Sequence, residues 1–437
     1  MLVVGIAYML FWNPILHHGD GWETGGDLWG IFRGAHYVSW GFLGGIYDPS
    51  NGIVTFPGMM ILLAPVAMIS SSLHLTETFL PFVVPRPTAA ILLQPIEILL
   101  ASSVVFAVDA LAEFLVIRRS RRTLLCIASA GIALPTAAVW GHAEDVLALA
   151  FAIYALLSIF RSKWNTAGWL LGLGILFQPL VLLLLPLCIG TTPAGRRMGV
   201  TVRSAALSVV LVGVAFAGNP SETYRAVVQQ PTSPIVNHAT PWEALAPVVS
   251  RTASHSGTVT NIVPGLGYPK VSEVATTVQG QLLVSGGVGR MIDVLVAVLI
   301  GLFVWRRPQS AVQLLWLSAL VLVSRCLFEA VMTPYYVAPP LILALVLVAR
   351  RPGWRLPVAT GLACAISVFA YYQLSPWAWW LPIVSGLLLV LAMGYPGGIG
   401  TRRTEMDDVG DDSESFETEG PADRSASDLV LAGTQMV

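Results

Sequence analysis

Long apolar runs separated by short polar connections dominate the chain. Twelve runs can be drawn: residues 2–16, 54–73, 90–117, 123–140, 146–160, 167–189, 204–217, 291–305, 311–328, 335–349, 356–372 and 378–393. Crossing the hydrocarbon core takes about 20 residues as helix. In lipid every backbone N–H and C=O must be paired internally, which leaves helices or a closed barrel. Barrel strands alternate in polarity, and these runs do not. The pattern predicts an all-α fold, a polytopic transmembrane helical bundle with about 10–13 membrane helices. No repeat of fixed period is visible.

The basic residues orient the bundle. Arg118-Arg119-Ser120-Arg121-Arg122, Arg161-Ser162-Lys163, Arg196-Arg197 with Arg203, Arg306-Arg307, Arg350-Arg351 and Arg402-Arg403 all fall at run ends. Cytoplasmic loops carry the excess of Lys and Arg, so these ends are expected inside the cell. The opposite face then receives residues 141–145, the long segment 218–289 and the loop 329–334. Run 167–189 conflicts with this alternation because basic clusters flank it on both sides. Its centre reads Phe177-Gln178-Pro179, and a proline favours a break just before itself. A re-entrant pair of half-helices is expected there. A second conflict precedes Arg118. It predicts that one of runs 54–73 and 90–117 is a non-crossing helix pair, with Pro65 and Pro95 as candidate break points.

Composition agrees with a membrane body. Of 437 residues, 55% are hydrophobic and 11% are charged, against about 25% charged in an ordinary domain. The net charge of -1 hides segregation. Residues 405–428 are strongly acidic with a single Arg, so the apolar body is net basic. That divides the chain into a membrane domain, 1–400, with external loops 17–53 and 218–289, and an acidic tail, 401–437. The tail cannot bury enough surface to fold and is expected to be disordered in the cytoplasm. Run 2–16 has no basic residue before it and no small-residue cleavage site after it, so it does not read as a signal peptide. Cys126, Cys188, Cys326 and Cys364 sit in apolar runs with no CxxC or Cys/His pattern. They read as small hydrophobes, and no metal site is expected.

Three segments could carry chemistry. The first loop, His17-His18-Gly19-Asp20-Gly21-Trp22-Glu23-Thr24-Gly25-Gly26-Asp27, gathers three carboxylates directly after a run. A carboxylate at the mouth of a bundle suits general-base work. Composition alone favours solvated loop acids. Next comes the aromatic-rich stretch 28–47, expected to lie at the membrane interface. The second segment, Trp140-Gly141-His142-Ala143-Glu144-Asp145, presses His, Glu and Asp between two spans, where charged residues are functional by default. A helix cap explains Asp145 but not His142. The third, residues 324–336, holds Arg325 and Glu329 at i,i+4, followed by Tyr335 and Tyr336. Arg325 could pair with Glu329 or bind a phosphate, and both readings stay open. Weaker candidates are Glu97, Asp109 and Glu113, the last two facing the Arg cluster beyond them. Asp293 reads as a span-end residue, and His238 and Glu243 have no supporting pattern. Nothing suggests nucleic-acid binding.

The order of these segments resembles one family, the membrane glycosyltransferases of superfamily C. The likeness is nearest to the polyprenyl-phosphate-mannose-dependent α-mannosyltransferases of actinobacteria. The resemblance rests on Asp27-Leu28, Arg33-Gly34-Ala35, Gly41, Ile46-Tyr47-Asp48-Pro49, Phe56-Pro57 and Ala64-Pro65. It continues through Gly141-His142-Ala143-Glu144-Asp145, Gly172 to Pro186, and Phe328 to Pro339, over about two-thirds of the chain. Two positions depart from the pattern: Gln178 stands where a Lys is usual and Gly58 where a second Pro is usual. The resemblance implies a GT-C-like fold and transfer of a sugar, mannose in that family, from a polyprenyl-phosphate donor. The acceptor would be a hydroxyl of a glycolipid or cell-wall glycan, and the reaction would invert the configuration. Asp27 would be the catalytic base. Asp20, Arg33, His142, Glu144, Asp145, Gln178, Arg325, Glu329, Tyr335 and Tyr336 would bind substrate. No cofactor is implied. The competing expectations are a secondary transporter or lipid flippase, suggested by the broken run and Glu97, and a non-catalytic membrane scaffold. Convergence of Asp27, His142 and Arg325 on one external cavity would favour the transferase. A midplane cavity around Glu97 and Gln178 would favour transport.

Overall fold

The computed structural model describes residues 26–48, 53–75, 89–235, 237–250, 257–262, 269–274, 282–372 and 374–397. Run 2–16, Asp20, Glu23 and the tail 401–437 lie outside the described residues. The described residues up to Pro396 form one compact unit.

The described residues are mostly helical, as the runs predict. In chain order the helices are α1 (Gly26–Ser39), α2 (Gly58–Ser72), α3 (Ala90–Phe114), α4 (Arg119–Ala138), α5 (Ala143–Phe160), α6 (Trp164–Phe177), α7 (Leu185–Thr191), α8 (Ala194–Gly218), α9 (Pro220–Tyr224), α10 (Gly287–Arg306), α11 (Ala311–Phe328), α12 (Ala338–Ala349), α13 (Arg355–Phe369) and α14 (Pro376–Met393). Six of them, α3, α5, α8, α10, α11 and α14, are long and apolar enough to cross a membrane. Short antiparallel pairs involve the segment between α9 and α10, one of them reaching across to the turn after α11. Strand β1 (His238–Ala239) pairs with β6 (Val331–Met332), β2 (Val248–Ser250) with β5 (Leu283–Val284), and β3 (Gly257–Ile262) with β4 (Pro269–Val274).

Burial sorts the helices into an inner and an outer set. Every residue of α12 is buried, and α5 is buried along nearly its whole length. A helix that is apolar on all sides belongs in a core. On α8 and α10 the apolar side chains Val209, Val210, Met291, Leu295 and Leu299 point outward. Contiguous outward apolar faces of this kind suit contact with lipid.

Polar groups segregate to the two ends of these helices. At one end Arg122 grips Asp109 with two hydrogen bonds, 2.9 and 2.8 Å, and reaches Glu113 at 3.4 Å. Beside it Arg121 donates to the carbonyls of Arg351 and Gly353, and Arg351 donates to that of Tyr395. The pairing of Asp109 and Glu113 with the Arg cluster, expected from their shared face, is therefore present. The N-terminus of α5, the C-terminus of α11 and the approach to α12 meet at the other end.

Of three expectations, the first holds and the other two change in detail. First, run 167–189 does break at the predicted place. Helix α6 stops at Phe177, Gln178 is extended (φ -146°, ψ 120°), and a 3₁₀ segment Pro179–Leu184 leads into α7. Second, Pro65 and Pro95 break nothing. Both sit inside continuous helices, α2 and α3. At about 1.5 Å per residue α2 spans only about 22 Å, so the short element before Arg118 is a short helix rather than a helix pair. Third, the aromatic stretch after Asp27 does not present its rings outward. Trp29, Phe32 and Tyr47 are buried in the core, where α1 packs on α2. Phe42 alone of these large rings is strongly exposed. Burying these large apolar rings stabilises the packing of α1 on α2.

Candidate functional site at one end of the bundle

The turn between α4 and α5 builds the centre of the site. Gly141 has φ +73°, a left-handed conformation open to glycine without strain. It reverses the chain so that His142 caps α5 and Glu144 and Asp145 fill its first turn. Carboxylates there face the positive end of the helix dipole. Even so, both are buried, and buried charges need partners.

His142 is the hub of those partners. Its Nε2 donates to Asp27 Oδ2 at 2.7 Å, and its Nδ1 donates to Glu144 Oε1 at 2.7 Å. Asp145 Oδ2 is 3.6 Å from the same Nδ1. Two nitrogens that each face a carboxylate must both carry hydrogen, which makes the ring an imidazolium. Burial opposes that charge, but the Glu144 and Asp27 carboxylates overcome it and hold the His142 pKa well above the ordinary value. Burial likewise opposes ionisation of Asp27, and the His142 hydrogen bond and charge prevail, lowering its pKa. The Asp27 side chain keeps 66% of its surface exposed.

Aromatic rings and a second charged cluster complete the site. Tyr335, on the 3₁₀ turn Pro334–Val337, stacks on His142 with centroids 3.6 Å apart. Tyr336 meets Tyr335 edge-on at 5.0 Å. The Arg325 guanidinium lies over the Tyr336 ring, 3.7 Å from its centroid. Arg325 occupies the last turn of α11, where a cation suits the helix dipole. It pairs with Glu329 Oε2 at 3.6 Å, and Arg290 donates to Glu329 Oε1 at 2.8 Å. Arg325 and Asp145 also interact electrostatically, which joins the two clusters. Gln178, exposed by the break after α6, donates through Nε2 to Asp145 Oδ1.

A small cavity of about 10 Å³, room for about one water, adjoins this polar centre and is lined by Asp145, Gln178, Ala148, Ala152, Val181 and Leu184.

The structure thus gathers Asp27, His142, Glu144, Asp145, Gln178, Arg325, Glu329, Tyr335 and Tyr336 at one end of the bundle. Arg33 is different. It lies six residues beyond Asp27 on α1, about 120° around the helix, and interacts electrostatically with Tyr37. Asp20 lies outside the described residues. Sequence reasoning missed Arg290 as the stronger partner of Glu329. Both sit at span ends expected on the same side, and that was the available signal. His238 also gains a context: β1 brings its ring flat on Trp379, centroids 4.0 Å apart and 5° from parallel. Thr240 ties the same segment to the site turn, donating through Oγ1 to the Glu329 carbonyl at 2.6 Å. His142, Glu144 and Asp145 together could hold a metal ion. Neither a protein-family model nor a curated protein matches the chain.

Proposed function

We propose that this membrane protein is a glycosyltransferase. It moves a sugar, with mannose as the first candidate, from a polyprenyl-phosphate donor to an acceptor hydroxyl. The acceptor belongs to a glycolipid or cell-wall glycan. The observation that carries the reading is the meeting of Asp27, His142 and Arg325 from three distant segments. A base, an orienting imidazolium and a cation suited to phosphate then stand in one site.

The acceptor hydroxyl oxygen attacks the anomeric carbon. The bond from that carbon to the phosphate oxygen breaks, and polyprenyl phosphate leaves with the electron pair. The hydroxyl proton passes to Asp27, whose side chain is exposed for it. Attack opposite the leaving group inverts the configuration. His142 holds the Asp27 carboxylate in place, since orientation of a reacting group lowers the barrier as entropy already spent. Arg325, held by Tyr336 and Glu329, offers its fork to the departing phosphate. No cofactor takes part in these steps.

The basic helix ends lie away from this site, and basic ends face the cytoplasm. The reading therefore puts the protein in the plasma membrane with its site extracytoplasmic and its tail inside. Gln178 works against the transporter reading, because its side chain serves Asp145 in this cluster. The deciding experiment incubates membranes holding the protein with labelled polyprenyl-phosphate mannose. Labelled product is expected from the wild type and none from Asp27→Asn at equal expression. Equal transfer by Asp27→Asn would remove Asp27 as base, and no transfer from any polyprenyl-phosphate sugar would remove the reading.

A further inference from the structure

We propose that His142, Glu144 and Asp145 form a binding site for one divalent cation of the Mn²⁺ type. The claim rests on geometry and charge and stands whether or not the protein transfers sugar.

The donor atoms already have the right spacing. His142 Nδ1 is 2.7 Å from Glu144 Oε1 and 3.6 Å from Asp145 Oδ2, and all three residues offer atoms within 4.8 Å of one another. Ligand atoms around a cation at about 2.1 Å are roughly 3.0 Å apart in an octahedron and roughly 3.4 Å apart in a tetrahedron. The observed separations bracket those values. An ion seated among them replaces the proton on Nδ1.

Two buried oxygens independently ask for such a partner. Glu144 Oε2 and Asp145 Oδ2 are sealed from solvent and accept no hydrogen bond. Their side chains are only 1% and 4% exposed. A buried carboxylate oxygen without a partner keeps its full desolvation penalty. The local charge is also unbalanced. Three carboxylates, from Asp27, Glu144 and Asp145, surround one imidazole. Arg325 is shared with Glu329, so it offsets only part of that excess.

The outer partners are those of a metal-binding imidazole. A ligating His usually donates its second ring N–H to a carboxylate, which fixes the ring and leaves one nitrogen for the metal. Asp27 holds Nε2 in that way and leaves Nδ1. Gln178 holds Asp145 Oδ1 and leaves Oδ2. One imidazole and two carboxylates, with no thiolate, select Mn²⁺, Mg²⁺ or Zn²⁺ over softer ions.

The test uses the full-length protein in lipid nanodiscs, stripped with chelator and titrated with MnCl₂, free Mn²⁺ being read by electron paramagnetic resonance. The wild type is expected to take up one equivalent, with a nitrogen hyperfine coupling that His142→Gln loses. Glu144→Gln and Asp145→Asn should each weaken uptake at least about tenfold. Gln178→Lys should do the same without removing a ligand, since its ammonium competes for Asp145. Glu113→Gln, beside Arg122 at the opposite end of the bundle, should bind as the wild type does. Absence of saturable Mn²⁺ and Zn²⁺ uptake by the wild type would overturn the proposal, leaving the two oxygens for substrate hydroxyls. Unchanged affinity in both Glu144→Gln and Asp145→Asn would overturn it too. If those two fail to fold, Gln178→Lys decides, and wild-type affinity in it counts against the site.

Discussion

His142 Nε2 donates to Asp27 Oδ2 at 2.7 Å, across 115 residues of chain. That hydrogen bond makes a loop acid into a member of a constellation. A solvated carboxylate turns freely, whereas this one is held toward the N-terminus of α5.

His142→Gln removes the imidazolium while leaving a side chain that can still donate. Asp27 then keeps its carboxylate but loses its fixed orientation. The turnover number for sugar transfer should fall roughly 10–100-fold, the range seen when an orienting partner is lost. The KM for the acceptor should change far less. Initial rates in proteoliposomes at several acceptor concentrations separate the two parameters, and a pure KM effect would argue against an orienting role.

Arg325→Lys keeps the charge and loses the planar fork. The ammonium cannot lie over Tyr336 as the guanidinium does at 3.7 Å. Loss of that stacking, worth about 0.5–2 kcal/mol, should raise the KM for the polyprenyl-phosphate donor roughly 2- to 30-fold. Donor titration checks it. An unchanged donor KM would free Arg325 from phosphate recognition and leave it as the partner of Glu329.

Gly58 stands where the resembling family usually has proline, and its packing supplies a reason. A Cβ added there would sit 2.5 Å from the Leu176 carbonyl oxygen, where α2 meets the end of α6. Backbone cannot give way as a flexible side chain does. Gly58→Ala should therefore cost about 1–3 kcal/mol. A lower thermal midpoint of the purified protein in detergent is the expected result, and an unchanged one would mean that α2 and α6 slide apart freely.

His238 gives the protein an acid-sensitive element away from the membrane core. Burial pushes its pKa down to about 4 from 6.5. Between those values the unfolded chain binds a proton that the folded one does not, so stability falls as pH drops through that window. Below about 4 this contribution is already lost. His238→Phe keeps a flat ring against Trp379 and removes the titration. The loss of thermal midpoint between about pH 7.5 and about pH 5 should be smaller in the variant than in the wild type. Equal losses would assign the acid sensitivity to other groups.

The helical class was legible because apolar length is a local property. A run of about 20 apolar residues becomes a helix in lipid whatever its neighbours do. The break at Gln178-Pro179 was legible for the same reason, since a proline restricts the residue before it. Pro65 and Pro95 show the limit of that rule: the same residue type was accommodated within α2 and α3. Neighbouring helices can satisfy the backbone groups that a proline frees, and the sequence does not say where they stand.

The site divides along the same line. Asp27, His142, Glu144, Asp145, Gln178, Arg325 and Glu329 could all be named as candidates, because charged or amide groups at the ends of apolar runs are conspicuous. Their partners could not. Arg290 rather than Arg325 makes the shorter bond to Glu329, and Tyr335 rather than any acid covers the face of His142. Those choices depend on how α1, α5, α10 and α11 are placed side by side. The sequence by itself determined that this is a helical membrane protein with polar groups gathered at its span ends. Only the tertiary structure decided which groups meet, because hydrogen bonds and ring contacts act over a few ångströms between segments more than a hundred residues apart.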